Sequence, residues 1–175
     1  MVNNEASRQD VVSASLPDLR REFKTWFAWD PSRSLIASIR SYQRVHYNPV
    51  FGLVVKKIAI LRHRFWSVIT GADIPVKCQI GGGLLIPHPN GIVIHPGAII
   101  GPNCLLFQQV TIGQSKGGVP VIGGHVDIGA GAKVIGAITV GDHAVIGANA
   151  VVLRDVPSGA TAAGVPAVVV AGNGR

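Results

Sequence analysis

The sequence predicts a mainly β fold, a parallel β-helix of hexapeptide repeats, behind an N-terminal α-helical region. Three observations predict it: a six-residue aliphatic period after residue 73, 20 of the 22 glycines in that same stretch, and nine of the ten aromatic residues before it. We therefore divide the chain into a helical region, 1–72, and a β-helix domain, 73–175. Residues 1–15 are predicted to be disordered, and the β-helix domain is predicted to carry a loop at 113–121 and a short C-terminal tail.

The front region is predicted to form α-helices. Asp30 and Asn48 each precede a proline, as an N-cap precedes proline at the first helical position. Aliphatic residues at three-residue steps predict an amphipathic helix over about 32–47, and a more continuously apolar segment follows over 50–70. Gly71 is a predicted helix stop. We expect these basic helices to cap the open lower end of the β-helix; peripheral contact with anionic lipid is the alternative.

The six-residue period has two interruptions, a two-residue slip after Ile86 and a four-residue excess within 114–121. All 13 register positions are branched aliphatics: Ile74, Ile80, Ile86, Ile94, Ile100, Leu106, Ile112, Ile122, Ile128, Val134, Val140, Ile146 and Val152. A second series four places later is apolar at eleven of thirteen positions and includes Cys78 and Cys104, which we expect to be buried packing residues. Six residues suit a short strand and a turn, and stacking such coils creates the core.

Composition excludes several classes of protein. Hydrophobic residues make up 47% and charged residues 14%, which excludes an intrinsically disordered chain. No uninterrupted apolar stretch approaches the roughly 18 to 20 residues that span a bilayer, and the first residues lack a signal-peptide pattern. Two cysteines cannot form a disulfide framework, so we expect a cytoplasmic protein, with the inner membrane surface as a variant of that prediction. Without a helix-turn-helix or zinc-ligand signature, no nucleic-acid partner is expected.

Six segments of the second part carry a resemblance to a known family. They are Asp73-Ile74-Pro75, Ile80-Gly81-Gly82-Gly83, His88-Pro89-Asn90-Gly91-Ile92-Val93-Ile94, Gln109-Val110-Thr111-Ile112-Gly113, Ile128-Gly129-Ala130-Gly131-Ala132-Lys133 and Thr161-Ala162-Ala163-Gly164-Val165-Pro166-Ala167. The chain resembles the left-handed β-helix acyltransferases, and among them most closely the serine acetyltransferases of cysteine biosynthesis. In that family three hexapeptides complete one triangular coil of 18 residues, so thirteen units imply a little over four coils.

The resemblance implies an acetyl-CoA-dependent O-acetyltransferase. His88 aligns with the family's catalytic histidine and would act as general base, so that an acceptor hydroxyl attacks the thioester directly. Asp73 aligns with the aspartate that fixes the imidazole's tautomer and stabilises the imidazolium. We expect no covalent enzyme intermediate.

The resemblance also implies a homotrimer with coenzyme A in a groove between subunits. The residues that match its coenzyme-binding segments are Gly129, Ala130, Gly131, Ala132, Lys133, Ala163, Gly164 and Pro166. The residues expected to contact the acceptor are Pro87, Asn90 and Gln114.

Several positions depart from the family pattern. Pro87 stands where the family has an aspartate, Val119-Pro120-Val121 replaces a loop histidine, and Val168 replaces a basic residue after Gly-Val-Pro-Ala. The chain also lacks the tail that docks the next enzyme of cysteine synthesis. The acceptor hydroxyl is therefore either that of serine or that of a sugar in polysaccharide or envelope synthesis.

Two other classes of function are also compatible with the sequence. A β-helix of this kind can be a non-catalytic scaffold or binding module. A metal-dependent hydratase is suggested by His125 and His143, which are 18 residues apart and should stack about 5 Å apart on adjacent rungs. A metal site needs a third convergent ligand, and no such spacing is evident, so we expect no metal.

Overall fold

The computed structural model describes residues 12–25, 27–44 and 49–170 of the chain. A short 3₁₀ helix, Leu19–Glu22, is followed by helices α1 (Pro31–Gln43) and α2 (Pro49–Thr70). Thirteen short strands follow: β1 Gln79–Ile80, β2 Val93–Ile94, β3 Ile99–Ile100, β4 Leu105–Leu106, β5 Thr111–Gly113, β6 Val121–Ile122, β7 Asp127–Ile128, β8 Lys133–Ile135, β9 Thr139–Val140, β10 Val145–Ile146, β11 Val151–Val152, β12 Thr161–Gly164 and β13 Ala167–Val170.

The strands form the three faces of a parallel β-helix. Face 1 has the order β1-β3-β6-β9, face 2 the order β4-β7-β10-β12-β13, and face 3 the order β2-β5-β8-β11. From β2 to β11 the chain visits the faces in strict rotation, and the isolated bridges of Leu85 with Leu105 and of Val156 with Val140 complete face 2 of the first coil and face 1 of the last. Among the strand pairs of the described residues, the final one, β12 with β13, is antiparallel. The predicted hexapeptide-repeat β-helix is thus confirmed.

The core follows the six-residue register. All 13 register aliphatics are buried, and so are the eleven apolar members of the second series, including Cys78 and Cys104. The two polar members, Asn90 and Lys116, are exposed. They fall at the two interruptions, where Ile92 and Pro120 take the inward places instead.

The rungs differ in length. Gln79 pairs with Ile99 across a 20-residue rung, and Ile99 pairs with Val121 across a 22-residue rung. Later rungs have 18 and 16 residues, as in the pairing of Val145 with Asp127 and with Thr161. The 20- and 22-residue rungs are the 18-residue coil lengthened by the two-residue slip and the four-residue excess seen in the sequence, whereas the 16-residue rung was not predicted. The corners hold these differences while the strands stay aligned.

Helix α1 caps the first rung of the β-helix. Arg40 donates to the carbonyls of Ile80 and Gly81 at 2.6 Å each, and Gln43 donates to the carbonyl of Cys78 at 2.9 Å. The Glu22 carboxylate accepts from the amide of Leu84 at 3.0 Å, and Ser32 donates to the carbonyl of Ile86. Backbone groups that an open rung would leave unpaired are thus satisfied by the front region.

Residues 12–15 are not a disordered tail, contrary to that part of the prediction for 1–15. The Asn103 side chain donates to the carbonyls of Ser13 and Leu16 at 2.7 and 2.8 Å, and accepts from the amide of Asp18 at 2.8 Å. Gly124 has no side chain, so Ala14 can lie directly against its backbone. These contacts hold the segment along one corner of the β-helix. Residues 1–11 and the tail at 171–175 lie outside the described residues.

The helix ends follow the predicted signals where they are described. The Asp30 carboxylate accepts from the amide of Arg33 at 2.9 Å, as an N-cap does. Gly71, with φ of +64°, follows α2, and its amide donates to the carbonyl of Ser67 at 2.9 Å. The Asn48 cap and the predicted end of the first helix near residue 47 lie outside the described residues. Over the described ranges, neither helix is sufficiently long and apolar to cross a bilayer.

Candidate active site on one edge of the β-helix

The predicted site residues concentrate on the edge where face 2 turns into face 3, called here the 2–3 edge: residues 87–92, 107–110, 129–132, 147–150 and 163–166. Backbone hydrogen bonds stack these corners. The amide of Gln109 donates to the carbonyl of Asn90, and the amide of Asn149 donates to that of Ala130, at 2.9 and 2.8 Å. Successive corners therefore repeat at about 4.8 Å along one line.

His88 lies at the lowest corner of this edge. It stands between Pro87 and Pro89, in the turn that contains the two-residue slip, and its imidazole is exposed. Asp73, also exposed, pairs with Val93 at the start of face 3. The fold thus places His88 on this edge and Asp73 beside it, although no hydrogen bond joins their side chains in the described part of the chain.

A second imidazole lies close to Asp73. Burial lowers the pKa of His63 on helix α2, and the nearby Asp73 carboxylate partly opposes this shift. The His63 Nδ1 lies 3.3 Å from the Ser38 hydroxyl, which is fully buried and donates to the carbonyl of Leu35 at 2.6 Å. Sequence reasoning missed this neighbour because His63 belongs to the front region and no motif connects it to the β-helix.

The eight predicted coenzyme-binding residues also lie on the 2–3 edge or beside it. Lys133 begins β8 just after its corner, and its ammonium donates to the carbonyl of Gln109 at 2.6 Å. A Cβ on Gly131, where φ is +74°, would lie 2.1 Å from the Asn149 Oδ1. Stacking of the corners alone therefore requires glycine at 131.

The predicted acceptor residues are divided between two edges. Pro87 and Asn90 flank His88, whereas Gln114 begins the loop between β5 and β6, at the corner of faces 3 and 1. That loop is closed by reciprocal backbone hydrogen bonds between Ser115 and Gly118, at 3.0 and 3.1 Å. Face 3 separates Gln114 from His88, so one chain does not bring them together.

A cavity of about 200 Å³ borders the His88 turn and was not predicted. Its lining includes Asp30 and Arg33 at the start of α1 and Pro87 next to the histidine. The two charged side chains are paired at 3.2 Å and partly exposed.

Gln108, on the 2–3 edge, has a buried side-chain oxygen without a hydrogen-bond partner among the described residues. The sequence did not predict a functional role for Asp30, Arg33 or Gln108, because a helix cap or a turn position already accounts for each of them.

The other candidate residues lie elsewhere. His125 and His143 stack as predicted, with ring centroids 5.1 Å apart, on the edge between faces 1 and 2. In the ranges that the structure describes, no group of three histidine, cysteine or acidic side chains could hold a metal ion. Burial raises the pKa of Cys78 and of Cys104 to about 11, so both thiols stay neutral and unreactive near neutral pH.

Comparison with known proteins identifies the class and then the family. A parallel β-helix of hexapeptide repeats is the fold of the hexapeptide-repeat transferases, the class named for the similar serine O-acetyltransferase structure from Brucella melitensis, with a TM-score of 0.69, 31% identity, and coverage of 81% of this chain and 58% of that one. No model of a protein family matches the chain. The serine acetyltransferase of Bacillus pumilus is 37% identical over 169 residues, which are 90% of this chain and 78% of that relative. The chain belongs to the serine acetyltransferase family.

Solved structures agree with this assignment. The chain is similar to serine acetyltransferase from Brucella abortus in complex with coenzyme A, with a TM-score of 0.68, 32% identity, and coverage of 81% of this chain and 56% of that one. It is also similar to the Neisseria gonorrhoeae enzyme in complex with serine, with a TM-score of 0.69, 34% identity, and coverage of 82% and 58%. The chain spans about half the length of several curated relatives that it matches, 44% in two of them.

Proposed function

We propose that the protein is an acetyl-CoA-dependent O-acetyltransferase whose acceptor is L-serine. The observation that carries the proposal is that His88, Asp73 and the residues matching the family's coenzyme-binding segments lie on the 2–3 edge or directly beside it. Four rungs separate His88 from Gly164, about 19 Å at the spacing of parallel strands. That length suits an extended pantetheine arm lying along the corners, and the names of the relatives and the coenzyme complex support the same assignment.

His88 acts as general base in this proposal. The acceptor oxygen attacks the thioester carbonyl carbon while the neutral imidazole takes the hydroxyl proton. The tetrahedral intermediate then breaks its carbon–sulfur bond, and the imidazolium returns the proton to the departing thiolate. Asp73 holds the other ring nitrogen, and backbone amides stabilise the oxyanion. General acid–base help of this kind is worth about 100- to 10,000-fold.

The charges of the cavity beside the His88 turn favour serine as acceptor. On exchanging their mutual ion pair, the Asp30 carboxylate can receive an ammonium group and the Arg33 guanidinium can donate to a carboxylate. A free amino acid carries both groups, whereas a neutral sugar carries neither. Asp30 and Arg33 thus offer an amino acid charged partners at the turn where Pro87 replaces the family's aspartate.

The same proposal makes the active protein a cytoplasmic homotrimer. Gln114 lies across face 3 from His88 in its own chain, so it can contact acceptor only if its loop reaches the histidine corner of a neighbouring subunit. Lys133 would meet a phosphate group of coenzyme A after exchanging its hydrogen bond to Gln109.

The experiment that tests the proposal measures thiol release from acetyl-CoA with L-serine as acceptor. His88→Gln should lower kcat at least about 100-fold, because it removes the proton acceptor. His143→Gln, an exposed histidine on another edge, is the matched control and should leave kcat unchanged. Full turnover by His88→Gln would eliminate the proposed base, and turnover with sugar acceptors but not with serine would eliminate the proposed acceptor.

A further inference from the structure

Helix α2 presents an apolar stripe to solvent. Val54, Ile58, Leu61, Phe65 and Val68 alternate at four- and three-residue steps, so they align on one side of the helix. Their exposed fractions are between 53% and 82%. The opposite side of α2 contains Ala59 and Thr70, which are buried, and α2 packs against α1. Five adjacent large apolar side chains in water indicate a binding surface.

The charges beside the stripe have one sign. Lys57, Arg62 and Arg64 are exposed next to it, and α2 contains no aspartate or glutamate. In a parallel two-stranded coiled coil along this stripe, Lys57 would face Arg62 of the other copy. Because like charges oppose that pairing, a second α2 is a poor occupant. A surface with negative charge next to an apolar layer complements both features.

Aromatic side chains extend the stripe at its C-terminal end. Phe65 contacts Trp66 with ring centroids 5.0 Å apart, and Trp66 contacts Trp29 at 5.6 Å. Trp29 and Phe27 are largely exposed. Rings with an apolar body and a polar edge favour the boundary between lipid headgroups and acyl chains.

We propose that α2 docks flat on an anionic lipid bilayer, with the stripe in the headgroup boundary and Lys57, Arg62 and Arg64 against acidic headgroups. Helices with an apolar face, basic flanks and aromatic residues bind in this plane without crossing the membrane. The proposal concerns a surface distinct from the 2–3 edge and does not depend on the acetyltransferase reaction.

Co-sedimentation of the full chain with lipid vesicles tests the proposal. We expect binding to vesicles of equal parts phosphatidylcholine and phosphatidylglycerol, and weak or no binding to phosphatidylcholine alone. The double variant Leu61→Glu, Val68→Glu should abolish binding; Leu153→Glu, at an exposed leucine of the β-helix, is the matched control and should bind like the parent. Arg62→Gln with Arg64→Gln, which leaves the stripe intact, should weaken partitioning about 30-fold.

Three results would overturn the proposal. One is the absence of sedimentation with anionic vesicles, and another is sedimentation that the charge-neutralised variant and added salt leave unchanged. The third is concentration-dependent assembly in solution that the Leu61→Glu, Val68→Glu variant abolishes, without vesicle binding by the parent. That last result would identify a second copy of the chain as the occupant.

Discussion

Arg40 joins helix α1 to the first rung of the β-helix through a network that is almost fully buried. Its guanidinium donates to Glu22 at 2.8 and 3.0 Å and to the carbonyls of Ile80 and Gly81 at 2.6 Å. The side chains of Arg40 and Glu22 are 15% and 11% exposed. Arg40→Ala would leave the Glu22 carboxylate without its cation and two rung carbonyls without their donor.

The expected cost follows from that geometry. Removing one partner of a buried ion pair costs about 3 to 5 kcal/mol, because the remaining charge stays desolvated. Glu22 keeps its hydrogen bond from the Leu84 amide, and water can reach the carbonyls once the cap is gone. We therefore expect the free energy of unfolding to fall by about 3 kcal/mol.

Urea denaturation followed by circular dichroism measures this change. Arg154→Ala, at an exposed arginine on another edge, is the control and should stay within about 0.5 kcal/mol of the parent. A double-mutant cycle with Glu22→Gln should return a coupling energy of about 1 to 3 kcal/mol. A loss below about 1 kcal/mol for Arg40→Ala would refute the reasoning that the cap stabilises the first rung.

Three further outcomes follow from burial and hydrogen bonding. Burial lowers the pKa of His63, so as pH falls the unfolded protein protonates this imidazole before the folded protein does. The free energy of unfolding should therefore fall as pH drops below about 6.5. Urea denaturation below that pH should show a smaller fall in His63→Gln. Cys78 and Cys104, with pKa values of about 11, should react with iodoacetamide at least about 100-fold more slowly in the native than in the unfolded protein, as mass spectrometry would show. Asn103→Ala removes three hydrogen bonds, each worth about 1 kcal/mol, and should speed tryptic cleavage of the N-terminal segment; Asn149→Ala, at another asparagine of positive φ, should not.

The β-helix was predictable because its core repeats. An aliphatic side chain recurs at each inward position, so the register of the strands is recorded directly in the sequence. The corners are less constrained, since residues there point to solvent and extra ones can be accommodated. The 20- and 22-residue rungs follow from the two interruptions of the repeat, but the 16-residue rung was not predicted, and Ile92 rather than Asn90 is the inward residue at the first interruption.

The candidate site was predictable only where it coincides with a motif. His88 and the corner glycines stand in segments that resemble the family, and the fold places them on one edge. Asp30 and Arg33 were not predicted as site residues, because capping the N-terminus of α1 already explains their presence in the sequence. Their approach to the histidine turn depends on how α1 packs on the first rung, which no local pattern encodes.

One hydrogen bond and two peptide units connect Ser32 on α1 to His88. The Ser32 hydroxyl holds the carbonyl of Ile86, and that residue is followed by Pro87 and the histidine itself. Tilting or melting α1 would therefore displace the imidazole almost directly. On the proposal that His88 is the general base, substitutions selected in this helix for thermal tolerance should also alter turnover, so the front region is a poor place for stabilising changes meant to leave the reaction untouched.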